Sequence, residues 1–152
     1  VDGMVIARIL IGVRRQLGLL ASSRFGEQDL GFLGGRLDGG SFENSQSLAL
    51  HIERVLGRSV TLVGADQQAI QRIAWCSGGA QGYFEAAIAA GVDAFITGEI
   101  SEPQAHYARE CGVAYLACGH HATERYGAPA LAAQVAAQLG LEHVFIDIDN
   151  PA

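Results

Sequence analysis

The chain has 152 residues, 49% of them apolar and 17% charged, with a formal net charge of −6. That length and mix suit one domain able to bury a core, and no uninterrupted apolar run approaches the ~18 residues of a membrane-spanning helix. The acidic balance lacks a basic stripe that could follow a phosphate backbone, which argues against duplex nucleic acid as a partner.

Val1 to Leu20 is apolar and carries Arg8, Arg14 and Arg15, a loose likeness to a signal peptide. Arg14 and Arg15 follow the apolar part and no Ala-x-Ala site is evident, whereas Ile6, Ile9, Leu10, Val13, Leu17 and Leu20 recur at helical spacing, which predicts an amphipathic helix. Ser22 to Phe42 is rich in Gly and Asp and suits short extended pieces and turns. In the next segment Ser45 is an N-cap candidate, Leu48, Ile52, Val55 and Leu56 share one face, and Gly57 is a stop, which predicts a helix. Val60 to Val63 reads as a short strand, as does Arg72 to Cys76, which ends at Ser77-Gly78-Gly79. A helix over 80–90 is closed by Gly91. It is followed by a strand at Asp93 to Thr97, a helix from Pro103 to Cys111 and a strand from Val113 to Cys118. Gly127 and Pro129 separate the segment after that strand from an Ala-rich helix over 130–139 stopped by Gly140. His143 to Ile148 has the composition of a final strand.

Strands and helices alternating over short connections, with strands apolar almost throughout, predict an α/β fold: a single domain over 1–152 with a mostly parallel sheet covered by helices. In such sheets ligands sit beyond the carboxyl ends of the strands. Three polar or Gly-rich clusters fall at strand ends: Ser77-Gly78-Gly79, Gly98 to Glu102, and Gly119-His120-His121 with Glu124. Cys76, Cys111 and Cys118 lack metal-type Cys-x-x-Cys spacing and read as buried free thiols in a reducing cytoplasm.

If a helix begins at Gly119, His120 and Glu124 are four residues apart and project from one face. An imidazole and a carboxylate meeting at one point supply half of a Zn, Mn or Fe coordination sphere. The same residues also suit a polar helix start, with His121 and Thr123 solvated and Glu124 favoured by the helix dipole. Ser77, Gly78 and Gly79 open a helix after a strand, and their amides are candidates for holding an oxyanion or phosphate, although such residues more often make a plain tight strand-to-helix turn. Glu99 is a candidate general base or a partner for a ligand imidazole N–H. His106 lies one turn inside the following helix and is a weaker candidate for the same rim.

The runs Arg72 to Gln81, Gly91 to Glu102, Gly119 to Arg125 and Phe145 to Ala152 together resemble the C-terminal part of the bacterial GTP cyclohydrolase 1 type 2 homologs, members of the NGG-interacting-factor-like family of dinuclear metal proteins. The resemblance implies one lobe of a two-lobed metal-binding fold, two divalent metal ions in the cleft, and a homohexameric ring. Its Gly-His-x-x-x-Glu motif assigns metal-ligand roles to His120 and Glu124, with His121 as a neighbour and Glu99 and His106 as cleft residues. It also implies a metal-dependent hydrolase on a nucleotide-like substrate when intact, or else a non-catalytic metal-binding scaffold. The family's other ligands, a His-His pair and an aspartate, come from an N-terminal half, and no His precedes His51 here. The expectation is therefore that these residues are the C-terminal part of a longer protein and inactive alone.

Overall fold

The computed structural model describes residues 12–64 and 68–152. Residues 12–16 are helical, and the chain then enters β1 (Leu19–Phe25), which forms a hairpin with β2 (Gly31–Arg36). Helix α1 (Ser45–Leu56) and the short strand β3 (Thr61–Val63) follow, then β4 (Ile73–Trp75), α2 (Phe84–Ala89), β5 (Ala94–Thr97), α3 (Glu102–Cys111) and β6 (Ala114–Ala117). The five-residue α4 (His120–Glu124) and α5 (Gly127–Leu139) complete the regular structure.

The sheet order is β1-β2-β4-β5-β6-β3. Only the centre, β4-β5-β6, is parallel, whereas β2 against β4, β1 against β2 and β3 against β6 are antiparallel. The α/β architecture expected from the alternation is present, as a mixed sheet. The parallel pairs are those joined by helical crossovers, while the hairpin and the three-residue β3 close the flanks.

Alternate residues of the central strands feed two cores, which is why these strands are apolar throughout. Ile73, Trp75, Ala94, Ile96, Ala114 and Leu116 face α1 and the 12–17 segment, packing with Leu48, Ile52, Val13 and Leu17. Ala74, Cys76, Phe95, Tyr115 and Ala117 face the opposite side, with Phe84 and Ala87 of α2 and Ala108 of α3. There Phe84, Phe95 and Tyr115 form a mutually packed aromatic group, with Phe84 and Tyr115 edge to face at 4.7 Å between centroids. Such geometry adds to plain area burial.

Several boundaries differ from the pattern-based expectation. The first helix stops by residue 16, because Gly18 adopts φ +65° and turns the chain into β1, so Leu20 is a strand residue. Ile6, Ile9 and Leu10 lie outside the described residues. The cap of α1 is Asn44 rather than Ser45: its side chain accepts from Ser47 N–H at 2.8 Å, and the Ser47 hydroxyl accepts from Asn44 N–H at 3.1 Å, a reciprocal capping box. Cys111 is exposed, whereas Cys76 and Cys118 are buried, and burial pushes both of their thiols up to about 12. The expected strand at 143–148 is not a strand. Residues 141–152 have no regular structure and find no partner in the sheet, where β3 already pairs with β6, so Val144, Ile146 and Ile148 are left exposed.

Candidate functional site

The carboxyl ends of β4, β5 and β6 meet in a rim built on backbone contact. Beyond the strands, Cys118 N–H donates to Thr97 O at 2.8 Å and Gly119 N–H to Gly98 O at 2.9 Å, so the parallel pairing runs on into the loops. Gly98 N–H (2.9 Å) and the Thr97 hydroxyl (3.2 Å) both donate to Gly78 O. Gly78 N–H in turn donates to Thr123 Oγ1 at 2.9 Å. Thr123, 1% exposed, completes the lock through Gly119 O and His120 O, each 3.0 Å from its hydroxyl oxygen. A solvated Thr123 is therefore ruled out. Its hydroxyl joins the first and third strand-end loops.

Two glycines make this approach possible. A Cβ on Gly98 would lie 2.6 Å from Gly78 O and 2.8 Å from His120 Cα. Gly78 has φ +65°, and a Cβ there would overlap the Glu124 carboxylate and stand 3.0 Å from His120 Nε2. The space over Gly78 is thus where the imidazole and the carboxylate converge.

His120 and Glu124 do project from one face of α4: Nε2 and Glu124 Oε2 are 3.2 Å apart. The other ring nitrogen, Nδ1, is 2.5 Å from Glu99 Oε1, and Gln81 Nε2 donates to Glu99 Oε2 at 3.3 Å. Glu99 is further fixed through its backbone, whose carbonyl accepts from the Tyr115 hydroxyl at 2.7 Å. Flanked by Glu99 first and Glu124 second, the imidazole has its pKa raised above 6.5, and the His120 contact holds Glu99 below its usual 4.5. All three side chains remain a little over two-fifths exposed.

The positions singled out in the sequence divide accordingly. His120, Glu124, Glu99, Gly78 and Gly79 come together, with Gly79 packing on the Glu99 carboxylate such that a Cβ would lie 3.3 Å from Oε1. Ser77 lies in the same loop. The Gly78 amide is engaged by Thr123 rather than open to an anion. His106 is not drawn into the cluster: its side chain is 61% exposed and stands 4.0 Å from Glu102, one helical turn away. His121 is half-buried, with its Nε2 buried and unpartnered. The site contacts of Thr123, Gln81 and Tyr115 were not evident from sequence, and only the rim of strand-end loops pointed to their neighbourhood.

The donor set suits part of a metal site. With Nδ1–H donating to Glu99, Nε2 presents a lone pair toward a carboxylate, and two acceptors at 3.2 Å require positive charge between them. A second proton on the ring supplies that charge, and so does a divalent cation. Among the described residues no group of three or more His, Cys, Asp or Glu side chains is arranged to hold a metal. His120 and Glu124 could supply two donors to an ion, with Glu99 hydrogen-bonded behind the first. No described helix is long and apolar enough to cross a membrane.

The sequence model of Duf34/NIF3 (NGG1p interacting factor 3) matches residues 11–151. A GTP cyclohydrolase 1 type 2 homolog of Neisseria meningitidis is 49% identical over 140 residues, covering 90% of this chain and 54% of its own. The protein of the same description from Pseudomonas aeruginosa is 57% identical over 104 residues, 68% of this chain and 41% of its own. Among solved structures, protein ybgI superposes with a TM-score of 0.86 at 38% identity, covering 95% of this chain and 57% of that one. TTHA1606 from Thermus thermophilus shares the fold, with a TM-score of 0.75 at 23% identity over 92% of this chain and 54% of its own. The chain spans about half the length of these relatives.

Proposed function

The chain belongs to the Duf34/NIF3 family, and from that premise we propose that it supplies one face of a metal-dependent hydrolase site for a nucleotide-like substrate. The observation that carries this reading is the His120 Nε2 and Glu124 pair converging over Gly78, with Glu99 on the opposite ring nitrogen. The name of the relatives, GTP cyclohydrolase 1 type 2 homolog, supports the substrate class.

His120 through Nε2 and Glu124 through its carboxylate would hold the ion. With a divalent metal of the Zn, Mn or Fe class held there, the site would gain Lewis acidity for activating water and polarising the bond to be cleaved. Glu99 accepts a hydrogen bond from Nδ1–H and so fixes the tautomer that leaves Nε2 free to ligate. Gln81 orients Glu99, and Tyr115 anchors its backbone, so the imidazole is aimed before any ion arrives. Two ligands are too few for a tight site, and further donors, together with a second ion, would come from outside the described residues. The 152-residue chain should therefore bind metal weakly and be inactive by itself.

Titration with Zn²⁺ followed by calorimetry tests the assignment. Weak binding by the wild-type chain should be lost in Glu124→Gln with the fold intact by circular dichroism. Equal binding by wild type and variant would defeat the ligand assignment.

A second reading has its own support. Leu131, Val135 and Leu139 recur at four-residue spacing on α5 and are 38%, 41% and 67% exposed, which favours a self-associating assembly module in which metal only stiffens the structure. Loss of association in Glu124→Gln, with no hydrolysis of GTP by an assembled form that contains this chain, would favour the module.

A further inference from the structure

The segment after Gly140 is exposed and without helix or strand, yet its end is tied beside the rim. Arg58, which follows the left-handed Gly57 that ends α1, reaches across with both terminal guanidinium nitrogens: Nη1 donates to Ala152 O at 2.9 Å and Nη2 to Pro151 O at 3.0 Å. Ala152 O also accepts from His121 N–H at 3.2 Å, one of the amides that the first turn of a helix leaves unpaired. Asn150 Oδ1 accepts from Ala152 N–H at 3.0 Å and closes the turn that presents this oxygen.

The same guanidinium lies on Gly119. A Cβ at that position would overlap Arg58, with Nε at 3.0 Å, and Gly119 has φ +95°, open in practice to glycine alone. Gly119 is the residue before His120, so its conformation sets the direction in which α4 leaves β6. Arg58, Gly119, His120 and Ala152 all line one open groove of about 400 Å³.

We infer that Arg58 is a positioning residue for His120: by clasping the Pro151 and Ala152 oxygens beside Gly119, it keeps Ala152 O on the His121 amide at the start of α4 and holds the imidazole at its place over Gly78. As a device of a metal site this rests on the reading above, but the clasp itself is a property of the chain. A planar fork suits two oxygens at once, and a lysine ammonium on its flexible stem does not reproduce it.

Amide hydrogen exchange by NMR on the 152-residue chain tests the clasp directly. In Arg58→Ala the His121 amide should exchange roughly five- to tenfold faster than in wild type, as expected for a lost capping hydrogen bond, while core amides such as Ile96 are unchanged. Removal of residues 150–152 should give the same acceleration, and the combined variant no more than either alone. Arg58→Lys should not rescue protection, whereas a role limited to charge or stem packing would survive in it. Zn²⁺ affinity should fall about tenfold in Arg58→Ala, the scale of lost outer-sphere support. Unchanged His121 exchange in both Arg58→Ala and the truncated chain, or additive effects in the combination, would overturn the inference. Absence of Zn²⁺ binding by wild type would sink the metal reading alone, and the exchange result then decides the clasp by itself.

Discussion

The rim at residues 76–124 and the stretch from 127 to 152 start from similar sequence material and end in opposite states. Both combine apolar runs with glycine stops. In the rim, strands β5 and β6 are buried along their whole length and their end loops bond to one another. In the second stretch only Gly127 and Ala136 of α5 are buried, and Val144 and Ile146 are 81% and 76% exposed. Apolar periodicity states what a segment can bury and is silent about whether a partner is within reach. The rim residues have two neighbouring strands and helices on both faces, whereas the tail has a guanidinium at its end and an ion pair, Asp147 with Arg125 at 3.2 Å.

The contrast breaks most sharply at Thr123. Thr123→Val keeps the shape of the side chain but leaves the buried Gly78 N–H without its acceptor, which should cost about 1–3 kcal/mol in urea unfolding. A cost near zero would mean that the rim is as loosely held as the tail.

A gentler change, Glu99→Gln, removes the first cause of the raised His120 pKa, so the imidazole should titrate closer to 6.5 in an NMR pH series. Stability follows the charges. The raised His120 pKa contributes below 6.5 and is lost as pH rises through the folded value, and the lowered Glu99 pKa contributes above 4.5 and is lost as pH falls through its own. The wild-type pair therefore contributes most between those limits, a maximum that the variant should flatten. An unmoved His120 midpoint would show that Glu99 does not govern the ring.

The smallest effect belongs to the tail. Ile146→Ser should change monomer stability by less than about 0.5 kcal/mol, because the side chain is already in water. A loss of several times that amount would show that the tail is packed in solution.

Much of the architecture was legible because it depends on local pattern. The 3.6-residue spacing of Leu48, Ile52 and Leu56 with Gly57 behind them located α1, and continuous apolar runs located β4, β5 and β6. The meeting of His120 and Glu124 was legible for the same reason, since a four-residue interval on a helix sets their distance. The antiparallel flanks were not, because pairing direction depends on which strand is free when the sheet closes. Asn44 escaped notice as a cap beside the equally suitable Ser45, and His106 was misleading because one helical turn from a strand end does not specify which way a helix faces.

What the sequence by itself determined is the local inventory: the elements of the central sheet and the helices between them, the glycines that permit close approach, and a helix start offering one imidazole and one carboxylate on the same side. Only the tertiary structure decided that Glu99 stands behind His120, that Thr123 is buried and holds the Gly78 loop, and that Arg58 brings residues 151 and 152 to Gly119. Those contacts join residues 21, 45 and some 94 positions apart, and no periodic pattern encodes such distances, which are set by strand order and by the packing of helices on the two faces of the sheet.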